Sequence, residues 1–479
     1  MSYRVLLKTT GSTMLLEAAV LVLMTAVSLL YRESPVPFLV TIAVLLVIGV
    51  PLSFIKTKKR AFYSREGYVT VALVWLVLSA FGALPFFING GFGNYISCFF
   101  EAVSGFTTTG STVLSEIEAL PRGILMWRST THVIGGMGIL VLVSAIIPNG
   151  ESRAMHMMRA EMPGPTAGKL VPRLSQSNKI LYGMYFGLIL LEIISLKIAG
   201  VALYECVTIS FSTAGTGGFA VTNDSLAGYS AAVEIIVSVY MLLFSLNFAL
   251  YFLLLTGKVK QIFKDQEFRL FFIIIIASVL LVAVNIRSVY GSFWTGLRHA
   301  LFTVASTSST TGFVVTDYDT LWPTFSKCVV VLLTFTGACA GSTGGAIKVS
   351  RLLILGKSVG KEVRQIIHPR SVNVIRVDDG PGSVEMVHSV LRFFPAYIFC
   401  LIGGILIVSL DNYDFVTTFS SALTCIGNVG PGLGVVGPVG NFAGYSNLSK
   451  IVLSFLMLIG RLEVMPILIL FAPSSWRRS

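Results

Sequence analysis

Four times in this chain a short, moderately apolar segment runs into a cluster of glycine, threonine and serine, with a stretch long enough to cross a bilayer on either side. The four read CFFEAVSGFTTTGSTV, CVTISFSTAGTGGFAV, HALFTVASTSSTTGFVV and FSSALTCIGNVGPGLGV. Aligned on the glycine that closes each cluster, Gly110, Gly218, Gly312 and Gly430 stand 108, 94 and 118 residues apart. This is a fourfold internal repeat, and it limits the fold to one supersecondary unit used four times.

Ten stretches reach the roughly 20 apolar residues that a membrane-spanning helix needs. They lie near 14–31, 37–55, 68–89, 126–147, 180–201, 230–256, 269–289, 325–355, 388–410 and 448–471. With 54% apolar residues, 12% charged and a mean hydropathy of +0.82, the chain cannot cover itself with a solvated surface. It reads as an all-α polytopic membrane protein of four helix–pore-loop–helix repeats plus two extra N-terminal helices. The expected units are 1–66 for the N-terminal pair and 67–150, 151–265, 266–365 and 366–479 for the repeats. The opening MSYRVLLKTTGSTMLLEAAV lacks a small-residue cleavage site after a short apolar core and reads as a retained helix.

The net charge of +12 does not point to nucleic acid, because the basic residues fall in short connections between spans. Lys56, Lys58, Lys59, Arg60 and Arg65 fill one connection and Arg153, Arg159, Lys169, Arg173 and Lys179 another. Lys258, Lys260, Lys264 and Arg269 fill a third, and Lys357, Lys361, Arg364, Arg370 and Arg376 a fourth. The positive-inside rule places all four, with both termini, on the cytoplasmic side. The opposite loops carry Glu116, Glu118, Asp224, Asp317, Asp319, Asp411 and Asp414, a balance that would concentrate cations at an entrance.

Irregular backbone at membrane depth is tolerated only where protein buries it or where it lines a watery path. One cluster alone could be a helix-packing contact of small residues; four at matched positions predict loops that meet at an axis. Carbonyl oxygens pointed at that axis would replace the hydration shell of a hard monovalent cation, and glycine permits the dihedrals that aim them. The short segments before the clusters are expected as half-helices whose C-terminal ends, partially negative, face the bilayer centre.

Two further features belong to this axis. The stretch 325–355 is interrupted by Gly337 to Gly345, a run containing Gly341, Ser342, Thr343, Gly344 and Gly345, and helix stability falls by up to about 1 kcal/mol per Gly. Its middle should unwind below the clusters and obstruct the path, the alternative being a kink at a packing contact. Arg461, inside the last span, is expected to face the axis, since a membrane-embedded charge seeks a cavity or a partner. A bland Arg461–Glu463 pairing is disfavoured because helix positions two apart do not face each other. Arg128, Glu234, Asn247, Lys327 and Lys450 lie on the same set of helices without an assigned role.

Other chemistries find little support. GSTGGAIKVSR has Ile347 before Lys348 where a phosphate-binding loop requires Gly, and no strand precedes it. Five histidines show no ligand spacing, and six scattered cysteines form no CxxC pair. The residues show no acid, base or metal cluster that would make an enzyme.

The repeats, GGMGIL, GACAGSTGGAIKVSR and IGRLEVMPIL together resemble the Trk/Ktr/HKT superfamily of potassium transporters over essentially the whole chain, most closely its bacterial TrkH/TrkG membrane subunits. The resemblance implies one pseudo-fourfold pore with a potassium filter at Thr108, Thr109 and Gly110; Thr216, Gly217 and Gly218; Thr310, Thr311 and Gly312; and Asn428, Val429 and Gly430. The sodium-selective plant relatives place Ser at the first glycine, where this chain has Gly110. The fourth loop departs from the others, so coordination there is expected to be imperfect. The resemblance further implies a gate formed by Gly341 to Gly345 with Arg461, and potassium as the transported ion with no organic cofactor. Its other implications are a homodimer in the bacterial inner membrane and a cytosolic TrkA-like regulatory ring that binds NAD, ATP or ADP. The basic connections, above all 356–388, read either as a surface drawn to membrane lipid or as the docking face for that ring. A sodium- or proton-coupled symporter of the same fold is the alternative function.

Overall fold

An apolar stretch in lipid satisfies its backbone by closing its own helical hydrogen bonds, whereas a glycine cluster must find partners on other segments. The computed structural model describes residues 3–56, 64–138, 174–370, 374–377, 380–381 and 384–476. In it, α1 (Tyr3–Leu30) and α2 (Val36–Ser53) pack together, and α1 also leans on the first repeat. That repeat consists of an outer helix α3 (Ser64–Gly82), a short pore helix α4 (Tyr95–Phe106) and an inner helix α5 (Arg122–Gly136).

The second repeat is α6 (Leu174–Ile198), α7 (Leu203–Gly215) and an inner helix in two pieces, α8 (Ala231–Phe244) and α9 (Phe248–Leu255). The third is α10 (Gln266–Asn285), α11 (Phe293–Ser308), α12 (Thr324–Phe335) and α13 (Val349–Ile367). The fourth is α14 (Val384–Val408), α15 (Phe415–Gly427), α16 (Asn447–Arg461) and α17 (Met465–Phe471). The one strand pairing among the described residues is a two-residue antiparallel ladder, Arg376–Val377 with Gly380–Pro381.

Among these residues six helices are long and apolar enough to cross a membrane: the N-terminal two and the outer helix of every repeat. The inner helices are shorter than the sequence suggested. The break in 325–355 was expected, but the stretches 230–256 and 448–471 are interrupted as well. Between α8 and α9 the axis turns by 93°. The cause is the unwound segment of the third repeat, which takes over the local ladder: Cys339 N donates to Ser245 O (3.0 Å) and Phe248 N to Gly341 O (3.2 Å). Asn247 then caps α9 by accepting from Ala249 N at 2.9 Å. Between α16 and α17, Glu463 and Val464 have φ of 61° and 67°, which no helix accommodates. The stretch expected at 126–147 is α5 as far as Gly136, and its end lies outside the described residues, as does the boundary placed at 150. The boundary placed at 365 falls inside α13.

The repeats close on themselves. Inner helix α5 packs on pore helix α7, α8 on α11, α12 on α15, and α16 returns to α4. At the first of these seams the GGMG motif shows its purpose: a Cβ on Gly135 would lie 1.8 Å from the Phe106 carbonyl oxygen, so only glycine lets the inner helix touch the end of its pore helix.

Candidate functional site

Each pore helix ends at the same backbone signature. Thr108, Thr216, Thr310 and Asn428 have φ of 55°, 57°, 62° and 52°, and two positions on, Gly110, Gly218, Gly312 and Gly430 have 81°, 72°, 80° and 100°. Left-handed residues at alternate positions turn successive carbonyls the same way, and a β-branched residue held there is strained, as happens where function demands a shape. All twelve residues singled out in the sequence lie in these four turns, and Thr108, Thr109, Thr216, Thr310, Thr311 and Asn428 are wholly buried.

The turns form a closed ring. A Cβ built on Gly110 would lie 1.9 Å from Gly217 O; on Gly218, 2.1 Å from Thr311 O; on Gly312, 1.9 Å from Val429 O; and on Gly430, 2.8 Å from Thr109 O. Every glycine therefore abuts the middle carbonyl of the next repeat, and the fourth returns to the first. Its gap is the widest, consistent with the different sequence of that loop. Asn428 replaces the threonine there and uses its amide to bind Thr109 Oγ1 and Met457 O, both at 2.9 Å. Above the ring a cavity of about 110 Å³ touches all four glycines. The seven acidic residues of the outward loops lie outside the lining of this cavity, and Glu118, Asp317, Asp319, Asp411 and Asp414 accept from loop or helix-end amides.

Directly beneath the ring lies the unwound segment 337–348. Gly345 N donates to Thr310 Oγ1 at 2.8 Å, and a Cβ on Gly345 would fall 2.6 Å from Asn428 Cβ. Its ends are clasped by one carboxylate, since Glu267 Oε1 accepts from Ala340 N (2.7 Å) and Ser350 N (2.8 Å). Lys348 Nζ folds back onto Gly344 O, in place of the phosphate that a nucleotide loop would hold. Arg461 is buried and spends its guanidinium on backbone: it donates to Thr343 O, to Gly136 O and to Gly135 O, the last at 2.6 Å. The fourth inner helix, the unwound segment and the end of the first inner helix thus meet at one side chain. Glu463 does not pair with Arg461; it binds Arg351, which also stacks over the Phe393 ring at 3.8 Å.

The helix residues left without a role are found at the seams. Arg128 pairs with Glu101 at 2.8 Å, both side chains nearly inaccessible, and reaches across to Ala220 O (3.2 Å) and the Phe219 ring (4.0 Å). Glu234 on α8 pairs with Arg298 on α11 at 2.8 Å. Lys327 holds Asp319 (3.4 Å), which accepts from Gly434 N of the fourth repeat (2.7 Å). Lys450 on α16 donates to Ser97 Oγ on α4 at 3.2 Å. Each of the four seams is therefore crossed by at least one polar link from these residues.

Two residues at the first seam were missed in the sequence. Glu101 is the lone acid inside the first pore segment and answers Arg128 across it, a pair of opposite charges at membrane depth that the sequence offered as a signal. His132 has no comparable signal. Its Nε2 accepts from Phe219 N (3.3 Å), which leaves the proton on Nδ1 to donate to Gly105 O (2.8 Å).

This arrangement has known counterparts. Residues 35–478 match the family model described as TrkH, cation transport protein. The Trk system potassium uptake protein TrkH of Salmonella typhimurium is 36% identical over 486 residues, the alignment covering all of both chains. TrkG of Escherichia coli is 31% identical over 463 residues, 94% of each chain. The crystal structure of the potassium transporter TrkH from Vibrio parahaemolyticus superposes with a TM-score of 0.89 at 33% identity, covering both chains fully. The ring of four glycine turns, the polar links across its seams and these matches lead to one conclusion: the chain belongs to the TrkH family of cation transport proteins, a family of transporters and not of enzymes.

Proposed function

We propose that this protein takes up potassium across the bacterial cytoplasmic membrane through the ring of four glycine turns. The observation that carries the reading is the closure of the ring, in which each of Gly110, Gly218, Gly312 and Gly430 abuts a carbonyl of the neighbouring repeat. Oxygens without fixed charge, held by strained backbone, suit a dehydrated monovalent cation. The segment Gly341 to Gly345 with Arg461 is the gate: it is buried against Thr310 and Asn428, and a guanidinium below the ring opposes an uncompensated cation. The relatives named as potassium uptake proteins support the choice of ion. Both termini face the cytosol, two copies associate, and a separate TrkA-like ring that binds NAD, ATP or ADP sets the gate from the basic inward connections.

The test is flux of potassium, rubidium, sodium and lithium through purified protein in liposomes, with Gly110→Ser beside the parent. The parent should pass potassium and rubidium and exclude sodium and lithium. In Gly110→Ser, checked for a parent-like size and melting profile, the new side chain must displace the Gly217 carbonyl, and sodium should enter. Equal passage of all four ions by both proteins would refute the filter.

A further inference from the structure

The unwound segment continues into α13, whose three faces differ. Lys357, Lys361 and Arg364 follow one another at helical spacing on one face. On the adjoining face Val359, Val363, Ile366 and Ile367 are 58%, 49%, 78% and 63% exposed. Ser358, Glu362 and Gln365 occupy the remainder. A helix with an exposed apolar stripe beside a basic one has the form of a segment lying in a membrane interface.

The basic face borders a cavity of about 720 Å³, walled by Leu270 and Leu352 and rimmed by Lys357, Lys361, Arg364 and Arg376. Lys357 is committed to structure, donating to Gln266 Oε1 and to Arg376 O at 2.6 Å. Lys361, Arg364 and Arg376 have no ion-pair partner among the described residues. Glu267, in the first turn of α10, does not line the cavity and accepts from the amides of Ala340 and Ser350. The depth is fixed by α10, which Asp265 caps at Phe268 N (2.7 Å), so that the cavity sits at the first turns of a membrane-spanning helix. Three cations with no ion-pair partner among the described residues, over leucine walls where hydrocarbon gives way to headgroups, match the phosphate and upper acyl chains of one lipid molecule.

We propose that this cavity binds the headgroup phosphate of an anionic phospholipid, with the apolar stripe of α13 resting in the same leaflet. Because α13 begins where the unwound segment ends, such a lipid anchors the segment's far end. The site is independent of which ion the protein carries, and the readout below is lipid binding alone.

The experiment titrates full-length protein in detergent with phosphatidylglycerol or phosphatidylcholine and reads bound lipid by native mass spectrometry. The parent should prefer phosphatidylglycerol at least about tenfold, from three unscreened cations near the lipid. The triple variant Lys361→Gln, Arg364→Gln, Arg376→Gln should lose that preference while keeping its melting temperature. Val363→Gln with Ile367→Gln, which spares every charge, should also weaken retention, as a lipid site requires and a free-anion or protein-docking site does not. Equal phosphatidylglycerol retention by the parent and the triple variant would overturn the proposal. So would displacement of the lipid by inorganic phosphate alone, or retention untouched by the Val363 and Ile367 changes.

Discussion

The amide of Gly345 donates to the hydroxyl of Thr310 across 2.8 Å, joining the segment below the ring to the ring itself. Thr310→Val keeps the shape and removes the acceptor, leaving a buried N–H that costs about 1–3 kcal/mol. The expected outcome is higher potassium flux in liposomes with a modest loss of thermal stability. Flux equal to that of the parent would mean that this bond does not restrain the segment.

The ring predicts an order of tolerance. Alanine at Gly110, Gly218 or Gly312 would collide with a carbonyl at 1.9, 2.1 or 1.9 Å, whereas at Gly430 the distance is 2.8 Å. All four variants carry the strain of a positive φ. Gly430→Ala should therefore keep the most ion selectivity and the highest melting temperature, measured on the four proteins in parallel.

Arg461→Ala would leave the carbonyls of Thr343, Gly135 and Gly136 without their common donor. A raised basal flux is expected, with Arg461→Lys intermediate because an ammonium cannot reproduce the planar fork. The check is rubidium uptake in the absence of any cytosolic partner; uptake at the parent's rate would remove Arg461 from the gate.

Breaking the buried Glu101–Arg128 pair from one side strands a charge at membrane depth, a loss of roughly 3–5 kcal/mol. Glu101→Gln alone should thus destabilise more than the double change Glu101→Gln, Arg128→Gln. Thermal unfolding in detergent measures the difference, and additive losses would argue that the two side chains act separately.

Asp414 caps the fourth pore helix. Hydrogen bonds from the Thr417 hydroxyl and amide hold its carboxyl below the usual carboxylate range. A lowered folded value means that the cap is fully effective above the unfolded value of about 3.9 and fades as pH falls through the folded one. Asp414→Ala is expected to cost about 1 kcal/mol near neutral pH, with Asp414→Asn close to the parent. Unfolding profiles across acid pH should converge for the parent and Asp414→Ala; a gap that persists in acid would contradict the assignment.

The repeats, the four glycine turns and the break near Gly341 could be read from the chain because each has a local cause. Glycine and threonine clusters cannot continue a helix in lipid, and their spacing places them at equal depth. The bend between α8 and α9 had only a faint local signal, Asn247 as the cap of α9, since AAVEIIVSVYMLLF and FALYFLLL are both good helix and the break is completed by the Cys339 and Gly341 backbone arriving from another repeat. The partners of Arg461 were hidden for the same reason: they are main-chain oxygens more than a hundred residues away, with no side-chain signature. Helix spacing disfavours an Arg461–Glu463 pair, and the left-handed turn at Glu463 and Val464 sends Glu463 to Arg351 instead, a partner on another repeat that no local spacing names.

The ring closes between unlike neighbours, and one polypeptide encodes all four. A symmetric tetramer that changes one ligand residue must change it four times, at every corner of the same plane. Here a single codon alters a single corner, so under the proposed function the filter can be adjusted in quarters. The wider gap at Gly430 and the asparagine at 428 already make one corner of the ring unlike the other three.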